Sequence, residues 1–168
     1  MGVYITSEGS GGPNVTQYNT CRGVRAANAL GAGFQVGNYS TNTDVNVDGN
    51  TLYDCFAADC AYGVRIHDSN TNMTRVIGGA IASCGTYGIE IGKFARGVEI
   101  DGVLMYLNGT SHIHITNENS GPIAIKNIVC ELYSESFLKA DPVSAGAVSY
   151  NLLTMENINC TCNYTDTS

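Results

Sequence analysis

One short string keeps coming back. Gly63-Val64-Arg65-Ile66, Gly88-Ile89-Glu90-Ile91 and His112-Ile113-His114-Ile115 each place two β-branched residues around a polar one. That is the period-2 signature of a half-buried strand. Gly33-Phe34-Gln35-Val36 is an earlier copy and Ser136-Phe137-Leu138-Lys139 a degenerate later one. Taking the first apolar residue of each copy gives positions 34, 64, 89, 113 and 137, with steps of 30, 25, 24 and 24. A second strand recurs between the copies, as an apolar pivot, two small or polar residues, then another apolar one. It is read at Ala26–Ala29, Val47–Asn50, Ile77–Ala80, Ile100–Val103, Ile125–Ile128 and Met155–Ile158. Two strand series with one shared period are the mark of a solenoid, in which each repeat is one coil.

The repeat contains no Leu-patterned helix, so a leucine-rich solenoid does not fit. The expected fold is all-β, a parallel β-helix of about six coils stacked at about 4.8 Å, with equivalent side chains in ladders. Composition agrees: 20 glycines, no Trp and only 14% charged residues sit far from a helical bundle. Left-handed corners suit Gly and Asn. The expected domain limits are a flexible lead-in at 1–18, the β-helix at 19–162 and a polar tail at 163–168. Extra chain length at 51–60 and 140–152 reads as outward loops.

The net charge of −7 argues against nucleic acid as a partner. No apolar run nears the ~20 residues of a membrane span, so no membrane insertion is expected. Seven cysteines without a CxxC pair read as unpaired apolar fillers in a core made in a reducing compartment. Six Asn-x-Ser/Thr sequons, Asn108 among them, read as corner chemistry. No P-loop, dinucleotide fingerprint or hydrolase elbow occurs, and neither a cofactor nor a metal is expected.

Inward ladders are expected at Phe34, Val64, Ile89, Ile113 and Phe137, and at Val36, Ile66, Ile91 and Ile115. Residues between them face outward. The first strand thus presents Gln35, Arg65, Glu90 and His114 in one column, and Gly33, Gly63, Gly88 and His112 in another. Arg65, Glu90 and His114 are candidate substrate contacts, since a cation, a carboxylate and an imidazole on a flat face suit hydrogen bonding to sugar. The second strand presents Asp48, Gly78, Asp101, Lys126 and Glu156. Asp48 and Asp101, two coils apart at about 9–10 Å, with Glu99 beside Asp101, are the candidate catalytic carboxylates, near the upper separation used by inverting glycosidases. Lys126 is a further candidate substrate contact.

The Gly-x-x-Ile strands, the Ile100-Asp101-Gly102-Val103 and Ile125-Lys126-Asn127-Ile128 strands and the buried cysteines resemble the pectate-lyase-like right-handed β-helix superfamily. Within it, residues 20–160 look most like bacteriophage tailspikes and appendages. The resemblance implies a homotrimer on a virion tail that binds bacterial surface polysaccharide as receptor and, in some members, cleaves it. A polysaccharide lyase or hydrolase, and a purely structural trimeric shaft, are the alternatives.

Overall fold

The computed structural model describes residues 2–5, 14–37, 45–67, 71–92, 95–116, 121–131, 135–141 and 153–161. Every element among them is a β-strand, and every strand pairing is parallel. The strands form three six-stranded sheets and one three-stranded sheet. The first sheet takes Val3–Ile5, Ala32–Val36, Tyr62–Ile66, Tyr87–Ile91, Ser111–Ile115 and Ser136–Ala140. The second takes Thr20–Arg22, Thr51–Tyr53, Arg75–Ile77, Val98–Asp101, Ile123–Lys126 and Leu153–Glu156. The third takes Arg25–Ala27, Phe56–Ala58, Ala80–Ala82, Leu104–Tyr106, Val129–Glu131 and Asn159–Thr161. The chain visits the three in this order six times. On the first three passes it inserts a strand of the short sheet, Asn14–Gln17, Val45–Asp48 or Thr71–Asn72. Parallel strands stacked in this way are compatible with a parallel β-helix.

Inward residues from all three large sheets make one buried cluster. Val3, Phe34, Val64, Ile89, Ile113 and Leu138 stack in one column, and Ile5, Val36, Ile66, Ile91, Ile115 and Ala140 in the next. Burying each large aliphatic side chain contributes about 1.5–3 kcal/mol. The last copy of the repeat is shifted by one residue from the pattern reading. Leu138, not Phe137, continues the ladder, and Phe137 packs near the His112 ring at 6.4 Å between centroids.

The second strand series needs a larger correction. Ala26 belongs to the third sheet and Val47 to the short one, while Val76 rather than Ile77 pairs with Ile100. The inward column of the second sheet is therefore Cys21, Leu52, Val76, Ile100, Ile125 and Met155. The third sheet carries Ala26, Ala57, Ile81, Met105, Cys130 and Cys160 inward. Residues 51–60, expected as an outward loop, are two ordinary strands and a corner. Val3–Ile5 and Asn14–Gln17, inside the expected lead-in, already pair with the following pass. The second expected loop, from 142 on, and the 163–168 tail lie outside the described residues.

The corners explain the composition. Between the second and third sheets stand Gly23, Asp54, Gly78, Gly102, Asn127 and Asn157, all with φ between 49° and 68°. This left-handed conformation costs most L-residues about 1–2 kcal/mol and is tolerated best by Gly, Asn and Asp. The amides also ladder: Asn157 donates to Asn127 Oδ1 at 3.0 Å, and Asn127 to Asp101 Oδ1 at 2.7 Å. The thiols depart from expectation at one point, because Cys130 and Cys160, register partners, are joined as a disulfide. Cys21, Cys55, Cys60 and Cys84 are unpaired thiols.

Candidate functional site

Two outward faces carry the residues singled out in the sequence. On the first sheet the predicted column holds in full register: Tyr4, Gln35, Arg65, Glu90, His114 and Lys139 stack in order. The companion column does not face outward. A Cβ on Gly63 would lie 2.3 Å from Ile81 and 3.2 Å from Cys84 Sγ, which places that side of the strand against the core. His112 occupies the same position two coils later and is fully buried. Its Nδ1 accepts from Asn108 at 3.0 Å and its Nε2 donates to the Glu131 carbonyl at 3.0 Å. Burial pushes its pKa below the ordinary histidine value, and the Glu131 hydrogen bond opposes that only in part. His112 and His114 therefore sit on opposite sides of their strand. Asn108 is itself buried, donating also to the Ile81 carbonyl and accepting from the Cys84 amide, so this sequon is a core amide.

The Arg65–Glu90–His114 column is closed on itself. Arg65 Nε and Nη2 both reach Glu90 Oε1, at 2.8 and 2.7 Å. His67 Nε2 lies 3.7 Å from that oxygen, and His114 Nδ1 lies 3.6 Å from the other. His114 Nε2 faces Asp141 at 3.1 Å. The Arg65 guanidinium lies over the Tyr62 ring, and the Tyr87 ring stacks on His114 at 4.1 Å. Glu90 and His114 retain only 5% exposure each. The charges of this ladder face one another, while both buried His114 ring nitrogens lie near the Glu90 and Asp141 carboxylates without making a hydrogen bond. Among the described residues no three His, Cys, Asp or Glu side chains are placed to share a metal ion.

The second sheet is open. Glu99 accepts a charged contact from Arg75 Nε at 3.2 Å, one coil below, and lies 3.7 Å from Lys126 Nζ, one coil above. Asp101, two residues on, has Ile77 and Lys126 as register neighbours. Asp48 is absent from this column. It lies in the short sheet between Gln17 and Asn72, and accepts from Asn72 Nδ2 at 2.8 Å. The Asp48–Asp101 pairing is thus overturned, because Val47 and Ile100 belong to different sheets. Glu99 and Asp101 remain side by side on one strand, about 7 Å apart along the backbone.

A groove of about 330 Å3 runs along the corner next to this face, lined by Tyr18, Gly49, Thr51, Met73, Arg75, Gly97 and Glu99. Tyr18, Gly49, Met73 and Gly97 are successive left-handed corner residues, with φ of 56°, 66°, 52° and 63°. Gly49 is required twice over: its φ is positive, and a Cβ there would meet the Tyr18 ring at 2.5 Å. The bare glycine lets the tyrosine lie against the corner. Tyr18, Met73 and Arg75 escaped the sequence reading. Aligning Gly49-Asn50-Thr51, Met73-Thr74-Arg75 and Gly97-Val98-Glu99 would have put them in one place.

Two of the unpaired thiols are held in the protonated form. Burial pushes Cys84 up to about 12, and burial together with the adjacent Cys55 thiol raises Cys21 to about 11. No family model matches the chain, and a search of curated proteins finds no match.

Proposed function

We propose that the chain is a right-handed parallel β-helix of six coils that binds polysaccharide along the corner groove and the adjoining face of the second sheet. The supporting observation is the groove itself, where an aromatic ring, an accessible guanidinium and a carboxylate stand on one side of a rigid scaffold. Sugar rings present an apolar face to a tyrosine and hydroxyls to charged hydrogen-bonding groups, so Tyr18 is the platform and Arg75, Glu99 and Lys126 fix orientation. The ligand class is bacterial surface polysaccharide, a reading that rests on the resemblance of the repeat to phage tailspikes, with a virion tail as its location.

Binding without cleavage fits this face better than hydrolysis. A glycosidase flanks the scissile bond with two carboxyl groups. Glu99 and Asp101 project side by side from one flat strand, and each is already engaged, by Arg75 and Lys126 or by Asn127. Arg65, Glu90 and His114 then act as structural members of the scaffold rather than sugar contacts.

The test is a glycan array of purified capsular and lipopolysaccharide O-chains, followed by titration calorimetry on the hits. Tyr18→Ala and Glu99→Gln should each weaken binding at least about tenfold while leaving far-ultraviolet circular dichroism unchanged. Release of reducing ends or unsaturated sugar from the same polysaccharides would replace the binding reading with an enzymatic one. Binding that survives both substitutions would sink the assignment of the groove.

A further inference from the structure

The outward side of the third sheet differs from the other two. Its exposed column runs Arg25, Phe56, Ala80, Leu104, Val129 and Asn159 from coil to coil. Leu104 is 40% exposed, Val129 47%, and Leu107, at the corner beside them, 48%. Tyr106 extends the patch on the next outward position of Leu104–Tyr106. Four coils at about 4.8 Å make an apolar strip about 20 Å tall, and strips of that kind mark interaction sites. The described strands of this sheet carry only two charged side chains, one towards each end: Arg25 in the first coil and Glu131 in the fifth.

We propose that this face pairs with the same face of a second copy, about a two-fold axis running along the strands, so that the two stacks lie antiparallel. Charge selects both the partner and the orientation. A two-fold axis along the strands turns the stack end for end, which brings the first coil of one copy opposite the fifth coil of the other. Arg25 then meets the second copy's Glu131 diagonally, and symmetry forms the contact twice. Phe56 faces Leu104 across the interface, and Ala80, the smallest side chain of the column, lies at the axis and allows close approach. A parallel two-fold would set Arg25 against Arg25 and Glu131 against Glu131, which like-charge repulsion opposes. An acidic or basic partner of another kind would find no matching charge on the strip between its ends. The strip is small beside standard interfaces, so the dimer is weak and concentration-dependent. This inference does not rest on the assignment of the corner groove, and it departs from the homotrimer that the tailspike resemblance implies.

Sedimentation equilibrium of the full chain over a wide concentration range tests it, beside circular dichroism to confirm folding. The expected result is a monomer–dimer equilibrium that Leu104→Glu abolishes. Arg25→Glu and Glu131→Arg should each weaken dimerisation about tenfold, since each removes two attractions and creates two repulsions. The double variant carrying both should return to within about threefold of the original, because the pair is restored with its signs exchanged. A monomer at every concentration overturns the proposal, as does a trimer mass. Dimerisation that ignores Leu104→Glu, or a double variant no better than the singles, overturns it equally.

Discussion

Replacing Glu90 by Gln tests whether the polar ladder on the first sheet is structural. The side chain keeps its shape but loses its charge, and Arg65, only 12% exposed, keeps its own. Removing one partner of a buried ion pair costs about 3–5 kcal/mol. Arg65 retains some water, and a Gln carbonyl in the place of Oε1 still accepts from both its nitrogens though without the charge, so the expected loss is about 2–3 kcal/mol. For a chain of this size that corresponds to a fall in Tm of roughly 5–10 °C. Thermal unfolding followed by circular dichroism measures it. The double-mutant cycle is sharper: Arg65→Met alone should cost a similar amount by stranding Glu90 between His67 and His114. The combined Arg65→Met, Glu90→Gln variant should then be at least about 1 kcal/mol more stable than the sum of the singles predicts. Polysaccharide binding should be unchanged in all three. A Tm shift under about 2 °C for Glu90→Gln, or strict additivity in the cycle, would show that the ladder is an ordinary surface ion pair.

Two further outcomes follow from the interior. His112 has a lowered pKa when folded, so its contribution to stability is complete above the unfolded value of about 6.5 and is lost as pH falls toward the folded one. His112→Gln should therefore flatten the decline of unfolding free energy between about pH 7 and 5, measured by urea titration, and parallel curves would contradict this. Gly63→Ala should destabilise by about 3 kcal/mol, since its Cβ would meet Ile81 at 2.3 Å and the Gly88 carbonyl at 2.6 Å. Gly85→Ala, whose nearest neighbour is 3.9 Å away, is the control and should stay within about 0.5 kcal/mol.

The first sheet was legible because its strands are five residues long, enough for alternation to show, and because a glycine marks most copies. The third sheet was not. Its strands are three residues with a single inward side chain, such as Ala57, Ile81 or Met105, and one point has no period. That gap let Ala26 and Val47 pass as members of the second sheet, and carried Asp48 into a column it does not share. Register along the first sheet was readable to within one residue, at Phe137. Burial of that face was not readable from alternation, which breaks at Gly88, the residue skipped between the paired Tyr87 and Ile89. Tyr87 and Glu90, three residues apart, both reach His114, which strict alternation forbids. The groove lay at a corner, where Tyr18 and Met73 stand in places that Gly49 and Gly97 fill on other passes, so residue type gave no hint of equivalence.

The stacking of each pass on the one before has a kinetic side. Strand partners here are separated by a single circuit of chain, as from Ile66 to Ile91 or from Ile100 to Ile125. Closing such a circuit carries nearly the same entropy cost wherever it occurs, since that cost grows only with the logarithm of loop length. Once two passes have docked, every later one meets a ready-made template and adds at a constant toll. Folding can then advance as a moving front along the chain, and a longer protein of this design would take more steps without facing a higher one.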